Sequence, residues 1–336
     1  SILHMGRMKL GANVIGAAKK AINDSVQYAN ERKQFCVQIS SFGAIQHKLA
    51  EMAIRCFAHE SAIYRVSHDI DLLMDIYKAR PGCDAGRAAI DAISHYAVED
   101  AILKVYGSEM LDFVADEAVQ IHGGMGYSAE MNVERGYRDS RINRIFEGTN
   151  EINRLLITDT AMKRAMKGDF NLFEKARELL AGIDTIAMEA TPGEDYFGEK
   201  RRQIENLKRL ALILIQSASA GFGRKLAKEQ EVMNNLADII TGIYLVESLA
   251  LRLEKTQTER AGLKDLYNGM LDVFLYDTAS AARKQALDAI YSIAEGEEAE
   301  KLAEATEKLT RIKGVNVKET RRMIAARLID ENRYCF

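Results

Sequence analysis

The sequence has few of the residues that interrupt helices and lacks the cysteine pairs of a disulfide scaffold. Proline occurs twice and tryptophan is absent in 336 residues, whereas average proline usage is roughly 5%. Because proline breaks helix interiors and central strands, its scarcity predicts long helices joined by few loops. The four cysteines are scattered and form no CxxC pair. This pattern excludes a small disulfide-rich fold and favours free thiols in a reducing cytoplasm.

The chain also lacks a charge surplus and a long apolar run. Its 46 basic and 49 acidic residues nearly cancel, which argues against a nucleic-acid partner, since such proteins usually carry a basic surplus on one face. The longest clean apolar run, 210–215, is far shorter than the roughly 20 residues of a membrane span. No basic leader followed by an apolar stretch opens the chain, so we expect no secretory signal.

The dominant feature of the sequence is the helical periodicity of its apolar residues. Apolar residues recur at three- and four-residue steps, which predicts amphipathic helices, while strand-like alternation is scarce. The predicted helices of the first half are 10–31, 43–72, 88–121, 132–140 and 150–167. Those of the second half are 170–190, 197–228, 230–256, 258–294, 296–312 and 317–331, with a turn at 191–193. We predict an all-α fold of two helical bundles, 1–168 and 169–336, divided at Gly168.

Three segments combine residue types that suit chemistry. Glycines crowd residues 120–127, where they either let backbone N–H groups approach a ligand or end a helix in a tight turn. Glu147 lies between a phenylalanine and a glycine. A carboxylate partly removed from water beside an aromatic ring is a better base, and an exposed turn residue is the alternative. Arg32 follows the first helix, where it suits the helix dipole or a phosphate.

Taken together, the three segments resemble the C-terminal helical domain of the acyl-CoA dehydrogenases over about residues 1–165. The match lies in the order and spacing of several motifs, which makes it specific. The long signature reads Gln120, Gly123, Gly124, Gly126, Tyr127, Glu130, Arg135 and Asp139. The shorter elements read Arg32-x-x-Phe35, Phe42-x-x-Ile45-Gln46 and Phe146-Glu147-Gly148-Thr149-Asn150-Glu151.

The resemblance implies dehydrogenation of a fatty acyl-CoA to a trans-2-enoyl-CoA with FAD as the cofactor. In the family a glutamate takes the α proton while the β hydrogen leaves as hydride to flavin N5, and Glu147 is similar in position to that base. A minority of members place the base on the first helix, where this chain has Gly6. The implied substrate contacts are Arg7 and Gly148. The implied FAD contacts are Arg32, Phe35, Gln46, Gln120, Gly123, Gly124, Thr149, Asn150 and Glu151.

The implied partners follow from the same resemblance. An electron-transferring flavoprotein is the usual acceptor, and Arg32 and Phe35 resemble contacts made to the cofactor of a neighbouring subunit, which requires at least a homodimer. No metal site is implied. The expected location is the bacterial cytoplasm.

The sequence departs from the family pattern in two ways. Cys36 stands where the family usually has glycine. The family's N-terminal helical domain and middle β domain have no counterpart here, so we expect the C-terminal part of a larger dehydrogenase that is inactive in isolation. Residues 169–336 resemble the extra helical domain of the very-long-chain type and its bacterial relatives.

Two other functions stay open at this point. One is an acyl-CoA oxidase-like flavoenzyme, which passes electrons to oxygen. The other is a non-catalytic helical interaction module that retains old motifs. The basic amphipathic helix 197–215 also permits membrane contact, although a solvated charged face is the more common explanation.

Overall fold

The computed structural model describes residues 2–183, 193–259 and 261–336, and most of them are helical. The predicted all-α class is confirmed. The helices of the first half are α1 Ile2–Glu31, α2 Gly43–Lys78, α3 Ala85–His95, α4 Ala97–His122, α5 Gly124–Tyr127, α6 Asn132–Ser140 and α7 Asn150–Met166. Those of the second half are α8 Leu172–Ala181, α9 Tyr196–Phe222, α10 Gln230–Thr256, α11 Lys264–Ile293, α12 Gly296–Leu309 and α13 Val317–Glu331.

Side-chain caps and glycines set several of these helix bounds. Asp84 accepts a hydrogen bond from the N–H of Arg87 at 2.9 Å and so caps α3, as short acceptors do at helix N-termini. Asp195 does the same for α9. Gly123 follows α4 with φ +60°, a conformation that glycine adopts without a steric penalty.

The described residues form two compact units. Unit 1 comprises residues 1–153, 256–274 and 315–336, and unit 2 comprises 154–255 and 275–314. Unit 1 therefore draws on three separate stretches of sequence. The predicted division at residue 168 follows the chain order instead, and it stays a prediction.

The core of unit 1 lies between α1, α2 and α4. Five side chains of α1 are buried at four-residue steps: Leu10, Val14, Ala18, Ile22 and Val26. This spacing places them on one face of the helix, which faces α4 and α2. The C-terminal helix α13 packs on α2, where Arg321 donates to the buried Glu51 at 2.7 Å.

A short hairpin interrupts the helices of unit 1. Strand β1 (Lys33–Gln34) pairs antiparallel with β2 (Val37–Gln38). The two turn residues, Phe35 and Cys36, have φ values of +52° and +68°, as a two-residue hairpin turn of this type requires. Strands of two residues are too short for apolar alternation, which explains why the periodicity did not predict them.

Ion pairs join the helices of unit 2. Lys208 of α9 pairs with Glu247 of α10, and Arg201 pairs with Glu254. Arg154 donates to Asp238 at 2.6 Å. The basic residues that permitted membrane contact for 197–215 are thus partly matched by carboxylates. Within the part of the chain that the structure describes, no helix combines the length and apolar character needed to cross a bilayer.

The helix bounds differ from the predicted ones in a few places. The predicted helix 88–121 is two helices, because the backbone leaves the helical region at Tyr96. The predicted helix 258–294 corresponds to α11, which begins only at Lys264. The predicted turn at 191–193 falls mostly outside the described residues, as does the end of the predicted helix 170–190. The predicted 132–140, 230–256 and 317–331 agree with α6, α10 and α13.

Candidate active site

The turn that carries Glu147 has an unusual backbone. It lies between the 3-10 turn Arg141–Arg144 and the start of α7. Glu147 has φ +59° and Gly148 has φ +86°. Positive φ costs energy at a non-glycine residue and persists only where surrounding contacts fix it. Thr149 accepts from the N–H of Ile152 at 3.4 Å and so caps α7.

The Glu147 carboxyl group lies directly on the backbone of Gly6. A Cβ added at Gly6 would be 2.5 Å from Cδ and 2.6 Å from Oε1 of Glu147, far inside van der Waals contact. Any side chain at position 6 would therefore displace this carboxylate. The two positions that the resemblance predicts for the base, 6 and 147, thus meet in space, and only Glu147 carries a carboxylate.

Arg7 approaches the same turn from α1. It is buried, and its Nε donates to the carbonyl oxygen of Glu147 at 3.2 Å. Burial lowers the pKa of the guanidinium, while the charges of Glu147 and Asp100 oppose this shift. Arg7, predicted as a substrate contact, therefore also holds the backbone of the predicted base.

Asn153 secures the turn from the first turn of α7. Its Nδ2 donates to the carbonyl oxygens of Gly148 at 2.7 Å, Thr149 at 3.0 Å and Glu147 at 3.4 Å. This residue was missed by the sequence reasoning. The sequence feature that could have indicated it is a second asparagine in the first turn of the predicted helix, six residues after Glu147.

Of the three predicted FAD contacts after the base, one is deeply buried. The side chain of Asn150 is nearly inaccessible and hydrogen-bonds to α4. Glu151 is exposed and Thr149 is half-buried. The cofactor roles of all three stay predictions, but the amide of Asn150 already has protein partners.

A second group of predicted cofactor residues lines a cavity of about 560 Å³ in unit 1. Arg32 directly precedes the hairpin and Phe35 lies in its turn, while Gly123 follows α4 and Gly124 begins α5. The remaining lining residues are Tyr28, Gln34, Ile39, Phe42, Ile45, Ile121, His122 and Met125. The structure thus brings together two sequence motifs that are about 90 residues apart.

Aromatic rings form one wall of this cavity. Tyr28 and His122 stack with ring centroids 4.2 Å apart. His122 Nδ1 donates to the carbonyl oxygen of Ala118 at 2.7 Å. Burial lowers the pKa of the His122 imidazole, which favours its neutral form at neutral pH.

The glycines of the 120–127 segment have two different roles. A Cβ at Gly123 or Gly124 would meet nothing within 4 Å, so their backbone is open toward the cavity side. A Cβ at Gly126 would lie 2.5 Å from the carbonyl oxygen of Val119. Gly126 therefore serves helix packing, whereas Gly123 and Gly124 leave room for a ligand.

Gln46 and Gln120 lie beside the cavity and do not line it. Gln46 Nε2 donates to the carbonyl oxygen of Ser40 at 3.1 Å, which secures the segment before α2. Gln120 is exposed in the last turn of α4. Their predicted cofactor contacts stay predictions.

Two buried charged residues of α4 were missed by the sequence reasoning. Asp100 and Lys104 are both inaccessible to solvent. Burial raises the pKa of Asp100 to about 8, and the neighbouring Glu99 adds to this shift. Burial also lowers the pKa of Lys104 to about 8. Their four-residue spacing inside an apolar helix was the signal that could have found them. Among the described residues, no group of His, Cys, Asp and Glu could hold a metal ion.

Comparisons with known proteins agree on one family. Models of the "Acyl-CoA dehydrogenase, C-terminal domain" match residues 1–162 and 206–308. A probable acyl-CoA dehydrogenase of Bacillus subtilis is 39% identical over 99% of this chain. The mitochondrial very long-chain specific acyl-CoA dehydrogenase of Rattus norvegicus is 40% identical over 47% of this chain, which corresponds to 21% of the rat protein.

A solved structure covers the whole chain. It is an acyl-CoA dehydrogenase from Bacillus anthracis complexed with FAD, with a TM-score of 0.94 and 38% identity over 100% of this chain. This chain spans 56% of that protein and 56% of the Bacillus subtilis relative. The chain belongs to the acyl-CoA dehydrogenase family.

Proposed function

We propose that this chain supplies the catalytic base and parts of the acyl-CoA and FAD sites of an enzyme that converts a fatty acyl-CoA to a trans-2-enoyl-CoA. The observation that carries this proposal is the placement of Glu147. Its carboxyl group lies on Gly6, and its backbone is held by Arg7 and Asn153. A carboxylate in a fixed place is what removal of an α proton requires.

Each residue of this turn has a distinct part in the proposed reaction. The Glu147 carboxylate takes the proton from Cα of the thioester. The Glu147 N–H donates to the thioester carbonyl oxygen and stabilises the charge that develops there. Arg7 keeps the turn in place, and Gly148 lies beside the acyl group. FAD, when bound, would supply the oxidising power, since the β hydrogen leaves with its electron pair as a hydride.

The cavity of unit 1 suits part of an adenine dinucleotide. The Tyr28–His122 stack offers an aromatic surface for the adenine ring. Arg32 can pair with phosphate oxygens, and the backbone at Gly123 and Gly124 is open. Gln46, Gln120, Thr149 and Glu151 are proposed as further contacts from the resemblance.

We also propose a homodimer and a flavoprotein electron acceptor. Phe35 at the tip of the hairpin is 87% exposed, which supports a hairpin that reaches the cofactor of a neighbouring copy. An electron-transferring flavoprotein is the acceptor that the family resemblance implies. The intact geometry around Glu147 speaks against a purely non-catalytic module.

The test replaces Glu147 by glutamine in the protein that contains this chain. Loss of the base should lower the rate at which a saturating acyl-CoA bleaches the flavin by at least about 100-fold, while flavin content stays unchanged. Stopped-flow absorbance under anaerobic conditions measures this rate. Asp71→Asn, which neutralises an exposed carboxylate of α2, is the control and should react like the wild type. If the flavin of the Glu147→Gln enzyme is reduced at the wild-type rate, another group is the base.

A further inference from the structure

One face of α4 carries a buried polar stripe. Asp100, Lys104 and Ser108 follow one another at four-residue steps, and none of them is exposed. That spacing places them in line along one side of the helix. Lysine is seldom fully buried unless its ammonium has a partner, so the partner of Lys104 indicates what the stripe does.

The partner of Lys104 is the first residue of α7. Lys104 Nζ donates to Asn150 Oδ1 at 2.6 Å, and Ser108 Oγ donates to the same oxygen at 3.2 Å. Asn150 Nδ2 donates to Glu109 Oε1 at 2.9 Å. An ammonium group only donates and an ionised carboxylate only accepts. Lys104 and Glu109 therefore fix the orientation of the Asn150 amide. Its oxygen faces Lys104 and its nitrogen faces Glu109.

Asn150 follows directly after the strained turn. Glu147 and Gly148 both have positive φ, and such a backbone must be held by neighbouring groups. Arg7 and Asn153 hold its carbonyl oxygens. Asn153 belongs to α7, so it ties the turn only to α7. The hydrogen bonds of Asn150 tie the junction to α4, and the one from Lys104 is charge-assisted and shielded from water, which makes it stronger than a neutral one.

We propose that Lys104 is a positioning residue that fixes Glu147 by anchoring Asn150 to α4. This inference rests on the proposed function only in that Glu147 acts as the base. Lys104 does not touch the reacting atoms in this role. The side chain of Asn150, which the family resemblance assigns to the cofactor, serves as the link between α4 and the turn.

The test is Lys104→Met, which keeps the length of the buried side chain and removes its donors. Hydrogen exchange, followed by mass spectrometry on the 336-residue chain, should show the backbone amides of 146–151 exchanging at least about tenfold faster. Exchange within α1 and α2 should be unchanged. In the FAD-loaded enzyme, kcat should fall about 10- to 100-fold with KM for acyl-CoA within about twofold, because the base is misplaced and the substrate still binds.

Lys19→Met is the matched control. Lys19 also pairs with a buried carboxylate of unit 1, that of Glu60, but it is twelve residues from Arg7, about 18 Å along α1. This variant should leave both the exchange of 146–151 and kcat unchanged. Ser108→Ala removes the two uncharged contacts of the Ser108 hydroxyl with Asn150, at 3.2 Å to Oδ1 and 3.0 Å from Nδ2, and leaves the Lys104 contact in place. It should give a smaller change of the same kind, and it decides the question if Lys104→Met does not fold.

The two readouts separate the two proposals. Unchanged exchange at 146–151 in a folded Lys104→Met protein would overturn the positioning role. An increase that spreads evenly through α1, α2 and α4 would overturn it as well, because it would indicate global destabilisation. A wild-type enzyme that does not oxidise any acyl-CoA would overturn the proposed function, while the exchange data would still decide the role of Lys104.

Discussion

Two carboxylates of unit 1 show how surroundings separate the roles of similar residues. Glu147 is half-buried in a turn, and its carboxyl group lies on a glycine. Asp100 is fully buried, and neither of its oxygens has a hydrogen-bond partner among the described residues. A carboxyl group in that setting favours its neutral form. Glu147 is therefore the carboxylate suited to take up a proton, whereas Asp100 affects stability.

The buried Asp100 should make the stability of the protein depend on pH. Its pKa is raised from 3.8 to about 8 in the folded chain, so the folded state holds a proton that the unfolded state releases. The free energy of unfolding should therefore fall as pH rises from about 4 to about 8. Asp100→Asn should not show this loss. The difference in free energy of unfolding between Asp100→Asn and the wild type should therefore shift by about 2–4 kcal/mol in favour of the variant from pH 5 to pH 8. Urea unfolding at several pH values measures this difference.

The control for this prediction is Asp71→Asn, since Asp71 is exposed on α2. Its stability should follow the wild-type curve at every pH. If the curves of Asp100→Asn and the wild type run parallel from pH 5 to pH 8, Asp100 does not carry the effect.

At the scale of elements, the hairpin explains why glycine suits the position at which this chain has Cys36. The second turn position requires a positive φ, and Cys36 has φ +68°. Glycine adopts this conformation without the clash that a Cβ meets. Cys36 therefore fits the turn only with strain, and the hairpin nevertheless forms.

Replacing Cys36 by glycine should stabilise the protein. Relief of the left-handed strain is expected to raise the free energy of unfolding by about 0.5–1 kcal/mol. Thermal unfolding followed by circular dichroism would detect the increase. Cys83→Gly is the comparison, because Cys83 itself does not have a positive φ. At that position the added freedom of the unfolded chain should lower stability. A lower melting temperature for Cys36→Gly would contradict the assigned strain.

The long helices could be predicted because apolar periodicity and scarce proline dominate their sequences. The hairpin could not, since two-residue strands leave no periodic pattern. The motif residues Arg32, Phe35, Gly123 and Gly124 were found from sequence, and they line one cavity. Lys104 and Asn153 were missed, because a polar residue in a helix is usually exposed and only its tertiary contacts reveal a buried partner.

At the scale of the whole molecule, unit 1 is completed by distant sequence. Phe57 of α2 contacts the rings of Tyr267 and Phe336, with centroids 5.5 Å and 6.5 Å apart. Glu51 contacts Arg321 of α13. The division at residue 168 would separate Phe57 and Glu51 from these partners.

Residues 1–168 alone should therefore be less stable than the same residues in the full chain. Residues 1–168 lack α13 and the C-terminal rings, so the face of α2 that these cover would be exposed, and leaving a large apolar side chain such as Phe57 in water costs about 1.5–3 kcal/mol. Circular dichroism melts of residues 1–168 and of the 336-residue chain would test this. In the full chain, Phe336→Ala should lower the melting temperature in the same direction. An equally cooperative melt of residues 1–168 at the same temperature would support an independent domain.

The assembly of unit 1 from three separate stretches of sequence also has a consequence during translation. Its helices α1, α2 and α4 leave the ribosome early, but the partners of Phe57 and Glu51 come from 256–274 and 315–336. At about 5–20 residues per second, the stretch from residue 153 to 336 takes roughly 10–40 s to make. The face of α2 that receives α13 is exposed during this interval, so this face is where a chaperone would bind the nascent chain.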